Sequence, residues 1–272
     1  MGEVVWVTGA ASGVGQHLAK VLVEKGYRVV ATDLNERQIR EVAKDCGWKE
    51  SQVLICRLDV TQRVDWAAVF NEVMNKWGKV DRLLNVAGYL QPGYIHQTED
   101  VQVDRHIDIN LKGVVYGSQL LARNMVRQGY GHIINIASLA ALAPIPGIAL
   151  YSASKFAVRA FSLALAEELR PLGVQVSVLC PDAIKTPMLA LQEDYEEAAL
   201  TFSGNRVLTV QDIERAMFEQ VFTKRPLEFV LPWHRGWLAK INNHFPWMSA
   251  SVSGVLKRKG IRAQAKIRGE RH

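Results

Sequence analysis

Tyr151 and Lys155 bracket the segment Tyr-Ser-Ala-Ser-Lys, a phenol and an ammonium four positions apart. On a helix that spacing projects both groups from one face. An ordinary phenol has a pKa of about 10 and is a poor base at neutral pH. A cation held beside it favours the phenolate. Tyr151 would then take a proton from an alcohol oxygen, or return one to a carbonyl in reverse. Ser138 follows the apolar run His132–Ala137, and its hydroxyl suits a hydrogen bond to the reacting oxygen. A second constellation is Thr8-Gly9-Ala10-Ala11-Ser12-Gly13-Val14-Gly15, between an apolar run and a helical pattern at Leu18, Ala19, Val21 and Leu22. Glycines allow a sharp turn and close backbone approach to a pyrophosphate, and the helix N-terminus offers free N–H groups to that anion. Asp33, 24 residues after Gly9, suits hydrogen bonds to an adenosine ribose and would repel a 2′-phosphate. The preferred cofactor is therefore NAD, with NADP the alternative. Asp33 also reads as a helix N-cap.

These groups need a scaffold that gathers strand ends. Short apolar runs at Val4–Thr8, Tyr27–Thr32, Gln52–Leu58, Arg82–Asn85, His132–Ala137, Val174–Leu179 and Glu228–Leu231 alternate with helical periods. One such period is Trp66, Val69, Phe70, Val73, Trp77, and another opens on Thr209 with Asp212 three residues on, close to a capping box. Several strand candidates are continuously apolar, as strands covered on both faces are. The alternation predicts an α/β fold with a doubly wound parallel sheet, whose ligands sit beyond the carboxyl ends of the strands.

The glycine loop, Asn85-Val86-Ala87-Gly88, Asn110, Ser138 and the Tyr151/Lys155 pair occur in the order of the short-chain dehydrogenase/reductase family, and residues 3–190 resemble it. The resemblance implies a Rossmann-like seven-stranded sheet flanked by helices and a catalytic set Asn110, Ser138, Tyr151 and Lys155. In that set Tyr151 is the acid/base and Ser138 orients the substrate. Lys155 binds the nicotinamide ribose and lowers the phenol pKa, and Asn110 holds a water linking Lys155 to solvent. The same resemblance implies cofactor contacts at Gly9, Ser12, Gly13, Val14, Gly15, Asp33, Asp59, Val60, Asn85, Ala87, Gly88, Tyr151, Lys155, Pro181, Ile184 and Thr186. Asp59 matches the adenine contact, Asn85 a residue that steadies the sheet, and Thr186 the carboxamide contact. The chain departs from the family pattern at Val86, where a second Asn is usual, and at Asp182, where Gly usually follows Pro181.

The 272 residues are nearly half apolar, enough for one sizeable core. Three widely spaced cysteines, Cys46, Cys56 and Cys180, fit neither a disulfide framework nor a metal site, and with no signal peptide evident they point to the cytoplasm. Charge is unevenly placed. Residues 224–272 hold eleven Lys/Arg against two Glu, +9, whereas the whole chain is +6, so the preceding 223 residues carry −3. The sequence therefore divides into a dinucleotide-binding catalytic domain, 1–231, and an aromatic, basic C-terminal extension, 232–272. Trp233, Trp237, Phe245 and Trp247 mix with cations and precede Lys257-Arg258-Lys259, Arg262, Lys266, Arg268 and Arg271. That composition suits peripheral contact with an anionic membrane, with the aromatics near the pocket mouth. An oligomer contact or a solvated extension are the alternatives, and no motif supports nucleic-acid binding.

Substrate contacts are expected from Leu139, Leu142, Ile145 and Pro146 and from Met188, Leu189 and Leu191, all apolar, favouring a lipophilic secondary alcohol or ketone such as a steroid- or retinoid-like compound. The competing readings are an NADPH-dependent ketone or 3-oxoacyl reductase and a noncatalytic nucleotide-binding sensor or scaffold. Wide apolar arcs on the helices around Asn110–Gln128 and Tyr151–Arg170 predict a homodimer or homotetramer.

Overall fold

The computed structural model describes residues 2–204 and 206–269, so Arg271 of the basic run lies outside the described residues. Seven strands form one all-parallel sheet: β1 Val4–Thr8, β2 Arg28–Asp33, β3 Val53–Arg57, β4 Arg82–Asn85, β5 Gly131–Ile136, β6 Val174–Pro181 and β7 Glu228–Leu231. Their order is β3-β2-β1-β4-β5-β6-β7. Strand order reverses between β1 and β4, which opens the crevice that such sheets use for ligands. The expected strands are all present, three of them with the bounds read from sequence and the others with ends displaced by at most two residues, as fraying boundaries allow.

Strand alternation divides the core. Val5 and Val7 of β1 join Ala31, Leu84, Ile134 and Leu179 under one helical layer. That layer includes α1 (Gly13–Glu24), α2 (Glu36–Asp45), α8 (Val210–Ala216) and α9 (Phe222–Lys224). Val4 and Trp6 face the opposite way, with Val30, Leu83 and Ile133. Their layer contains α3 (Arg63–Trp77), α5 (Gly113–Gln128) and α6 (Ala149–Leu169), with α4 (Asp100–Ile107) leading into α5. All five residues of β1 are buried, which explains its uninterrupted apolar character. The α3 period works as read: Trp66, Val69 and Val73 are buried, and Trp66 packs on Trp6 with ring centroids 5.3 Å apart. The Thr209/Asp212 capping box forms at α8.

After β6 come α7 (Pro187–Ala190) and a 3-10 stretch, Glu196–Ser203; after β7 come α10 (Trp233–His244) and α11 (Pro246–Gly269). The C-terminal pair folds back onto the body. Ala239 of α10 joins a cluster with Leu139, Val178 and Cys180, and α11 lies along 196–203. Among the described residues no helix is long and apolar enough to cross a membrane.

Candidate active site

The turn after β1 has the geometry that its glycines suggest. Gly9 adopts φ +72°, and a Cβ there would stand 2.9 Å from Ala87 Cα. At Gly15 a Cβ would meet the Gly9 carbonyl oxygen at 2.1 Å, so only glycine lets α1 start this close to the strand end. No side chain caps α1, whose first N–H groups remain available to an anion. The Asp33 carboxylate stands at the end of β2, accepting from Ala11 N at 3.1 Å and Asn35 N at 2.9 Å. It is not an N-cap; Asn35 caps α2. Arg37 is bound along α2 to Glu41 at 3.0 Å.

Gly9, Ser12, Gly13, Val14, Gly15, Asp33, Asp59, Val60, Ala87, Gly88, Pro181, Ile184 and Thr186 all line one cavity of about 420 Å³, together with Ser138, Tyr151 and Lys155. Asn85 does not line it. Counted among the cofactor contacts from sequence, it is instead buried in the sheet, donating to Asn135 Oδ1 at 2.8 Å and Ser118 Oγ at 3.2 Å. This polar network ties β4 to β5 and α5, the structural half of the sequence reading. Asn110 also stands behind the cavity wall, in a π-helical turn, Asp108–Lys112, that joins α4 to α5. Its amide holds the Tyr89 backbone from both sides, accepting from N at 2.7 Å and donating to O at 2.8 Å, and donates to Ser154 Oγ at 3.0 Å. A π turn in mid-helix commonly marks a functional position.

Tyr151 and Lys155 lie near the start of α6, with the Lys155 Nζ 5.6 Å from the phenol ring centroid. Lys155 donates to the Ile136 carbonyl at 2.8 Å, which fixes it against the end of β5. Burial pushes its ammonium down to about 8. Desolvation pushes the Tyr151 phenol up to about 12, and the opposing influence is a hydrogen bond with Ser138. Sequence spacing points to Lys155 as the source of a lowering; within the protein alone, burial raises the phenol pKa and the Ser138 hydrogen bond is the influence that opposes it. Ser138 Oγ also accepts from Ala140 N at 3.1 Å, fixing the hydroxyl at the strand end.

The outer part of the cavity is mostly apolar. Leu139, Ile145, Met188 and Leu189 line it as expected, joined by Leu90, Ile148 and Leu200. Leu142, Pro146 and Leu191 do not; Leu142 is buried in the core, and Pro146 and Leu191 are exposed. Sequence reading missed Gln192, Thr201 and Arg235 as lining residues. Asp182, the departure after β6, pairs with Arg235 of α10. Desolvation pushes the Asp182 carboxyl up, and the Arg235 charge opposes that shift.

A further set holds the segment after α7. Gln264 of α11 is buried and donates from one nitrogen to Gln192 O at 3.1 Å and Tyr195 O at 2.9 Å. Gln192 in turn accepts from Thr201 Oγ1 at 3.1 Å and donates to Met188 O at 3.0 Å. Gly260 lets α11 sit directly on Ala199, whose carbonyl a Cβ would meet at 1.9 Å. Lys257 reaches Tyr94 Oη and Glu196, each at 3.1 Å. No sequence motif signals these contacts; the glycine at 260 amid a basic helix is the one visible trace.

The family model for short chain dehydrogenases matches residues 3–197. The chain is 34% identical over 202 residues to 2-(R)-hydroxypropyl-CoM dehydrogenase of Xanthobacter autotrophicus, covering 72% of this chain and 80% of that one. Among solved structures, a short-chain dehydrogenase/reductase of Burkholderia phymatum in complex with NAD superposes with a TM-score of 0.81 at 24% identity, covering 91% of this chain and 95% of that one. The closed form of a serine dehydrogenase complexed with NADP+ superposes with a TM-score of 0.75 at 29% identity, covering 84% and 94%.

Proposed function

Because the chain belongs to the short-chain dehydrogenase family, an NAD(P)-dependent group of CH–OH oxidoreductases, we propose that it transfers a hydride between NAD and a lipophilic secondary alcohol or its ketone. The observation that carries this reading is the meeting of Ser138, Tyr151 and Lys155 with a mostly apolar wall in one cavity.

The residues present fit a dinucleotide. A glycine turn that admits no Cβ, an uncapped helix start and a carboxylate at the end of β2 would receive the pyrophosphate and an adenosine ribose. Asp33 favours NAD because its charge would face a 2′-phosphate. Lys155 and Tyr151 would hold the second ribose, with Thr186 and Ile184 beside the ring. When bound, the oxidised dinucleotide supplies a hydride acceptor and a positive charge.

Ser138 and Tyr151 would hold the substrate oxygen between two hydroxyls. In oxidation the Tyr151 oxygen takes the alcohol proton; in reduction it donates one to the forming alkoxide. With its pKa pushed up to about 12, Tyr151 is a proton donor at rest. It serves as a base where the surrounding positive charge, including Lys155, outweighs desolvation. Asn110 positions the Tyr89 backbone next to Gly88. The apolar wall supports the lipophilic substrate, a steroid- or retinoid-like alcohol being of suitable character.

Two further features belong to this reading. Val115, Ala122, Val126, Phe161, Leu165 and Leu169 form an apolar groove between α5 and α6, which suits pairing with a second copy. The basic C-terminal region suits peripheral contact with an anionic membrane, the source of such a substrate.

The test is a panel of steroid, retinoid, long-chain and short soluble secondary alcohols with NAD and NADP, followed by absorbance of the reduced cofactor. Tyr151→Phe should reduce turnover at least ~100-fold while the chain still folds and still binds cofactor, through the glycine turn, Asp33 and Lys155. A preference for NADP, or best turnover on the small polar alcohols, would sink the corresponding part of the assignment. A monomer by light scattering at micromolar concentration would remove the oligomer.

A further inference from the structure

α10 is an inverted surface helix. Its inner face carries charge: Arg235 pairs with Asp182, and Lys240 pairs with Glu228. The same face seats Gly236 against Val230, where a Cβ would come within 2.4 Å, and buries Ala239. Its outer face carries Trp233, Trp237, Leu238 and Ile241, spaced i, i+4, i+5, i+8, and Trp233 is 71% exposed and Trp237 64%. Phe245 and Trp247 continue the exposed aromatics past the helix end, their rings in edge contact at 5.2 Å. A surface helix of a soluble domain ordinarily does the reverse. Two indole rings this far into water, on a helix that turns its cations inward, leave apolar area that the fold itself does not cover.

We propose that the outer face of α10 is a membrane-docking surface that lies in the headgroup region of an anionic bilayer. This deepens the membrane contact of the preceding section and assigns it to the tryptophan face rather than to the basic run alone. Two observations select lipid over a second copy of the chain. From residue 229 to residue 269 the sequence contains no Asp or Glu. The helix that follows exposes Arg258, Arg262 and Arg268. A two-fold contact through this end of the chain would bring the unbalanced arginines of α11 together, whereas an anionic bilayer complements them. Indole rings at the headgroup level, with a basic neighbour, are the composition of interfacial helices. Arg235 lines the substrate cavity, while Trp233 and Trp237, two positions to either side, face the opposite way. The docking face is therefore the outer side of the cavity wall, which would bring a membrane-dissolved substrate close to the site.

The test uses the full chain without substrate, so its outcome is independent of which alcohol the enzyme oxidises. Binding to phosphatidylcholine vesicles with and without 30% phosphatidylserine (about 0.3 mole fraction, a composition within the anionic-lipid regime) is measured by co-sedimentation. Quenching of tryptophan emission by brominated acyl chains reads insertion. Trp233→Ser/Trp237→Ser should lower partitioning roughly 100-fold, about tenfold for each ring withdrawn from the bilayer. Because both rings are exposed, the variant should keep its Tm. Arg258→Gln/Arg262→Gln/Arg268→Gln should weaken binding only to anionic vesicles, with the difference vanishing at high salt. Failure of the parent to bind anionic vesicles at low salt overturns the proposal. So does equal binding and equal quenching by the tryptophan variant, or light scattering in which those substitutions split an oligomer while vesicle binding is unchanged.

Discussion

Replacing Gln264 by Met keeps the volume of the buried side chain and removes both hydrogen bonds that it gives to the segment after α7. Gln192 O and Tyr195 O would then face α11 without that donor. At about 1 kcal/mol net for each bond, with each carbonyl keeping one backbone donor, the loss is about 2 kcal/mol. A tenfold change corresponds to about 1.4 kcal/mol, so local opening of residues 187–203 should become roughly 30-fold more frequent. Hydrogen exchange on the full chain reads this directly. The Tyr195 amide, bonded to Gln192 O at 3.2 Å, and the Ala198 amide, bonded to Tyr195 O at 3.1 Å, should exchange faster by that factor. Amides of β5 and β6 should not change, because the opening is local. In turnover, KM for a bulky alcohol should rise, while a short soluble alcohol, which needs less of the Leu189–Leu200 wall, should be little affected. Unaltered exchange at 187–203 would refute the clamp. Faster exchange throughout the sheet would refute its local character and make Gln264 a general contributor to stability.

Three further outcomes follow from particular contacts. Arg235→Met leaves Asp182 desolvated without its partner, and breaking a buried pair costs about 3–5 kcal/mol, taken here at the lower end since Arg235 is 28% exposed; Asp182→Asn in the same chain should recover part of the lost denaturant midpoint, and a loss under about 1 kcal/mol would show the pair to be screened. His132, buried between β5 and β6 and bonded to Ser177 at 2.9 Å, is pushed by desolvation from 6.5 to about 3, so the folded state binds fewer protons than the unfolded chain below 6.5. Stability should be complete above that value and fall as pH drops toward 3, by on the order of 4 kcal/mol, and His132→Gln should flatten this slope in denaturant titrations. Asp33→Ala should lower the NAD-to-NADP ratio of kcat/KM at least ~10-fold by removing the charge that faces a 2′-phosphate; an unchanged ratio would place the selectivity elsewhere.

Much of the site was legible in sequence because its parts are local. A glycine turn is fixed by φ and by the absence of a Cβ within a few residues, and Tyr151 and Lys155 meet through helical spacing alone. Continuous apolar runs alternating with helical periods determined a parallel, doubly wound sheet, and the capping box at Thr209 marked α8 to the residue. What sequence could not supply was anything that depends on which distant groups share a cavity. Spacing put a cation next to Tyr151, but only the packed site shows that burial pushes the phenol up and that a hydrogen bond with Ser138 opposes it. Asn85 sits in the same stretch as Ala87 and Gly88, yet strand alternation turns it into the sheet, away from the cavity. Leu142 and Leu189 look alike as apolar residues, and tertiary packing alone sends one to the core and the other to the cavity wall. The C-terminal region makes the same point most fully. Its composition determined that aromatics and cations would coexist there. The fold decided that Arg235 and Lys240 turn inward to Asp182 and Glu228, that Gln264 holds the segment after α7 beside the cavity, and that the tryptophans are left outside. The burial energy of an ion pair depends on a partner dozens of residues away, which no local pattern records.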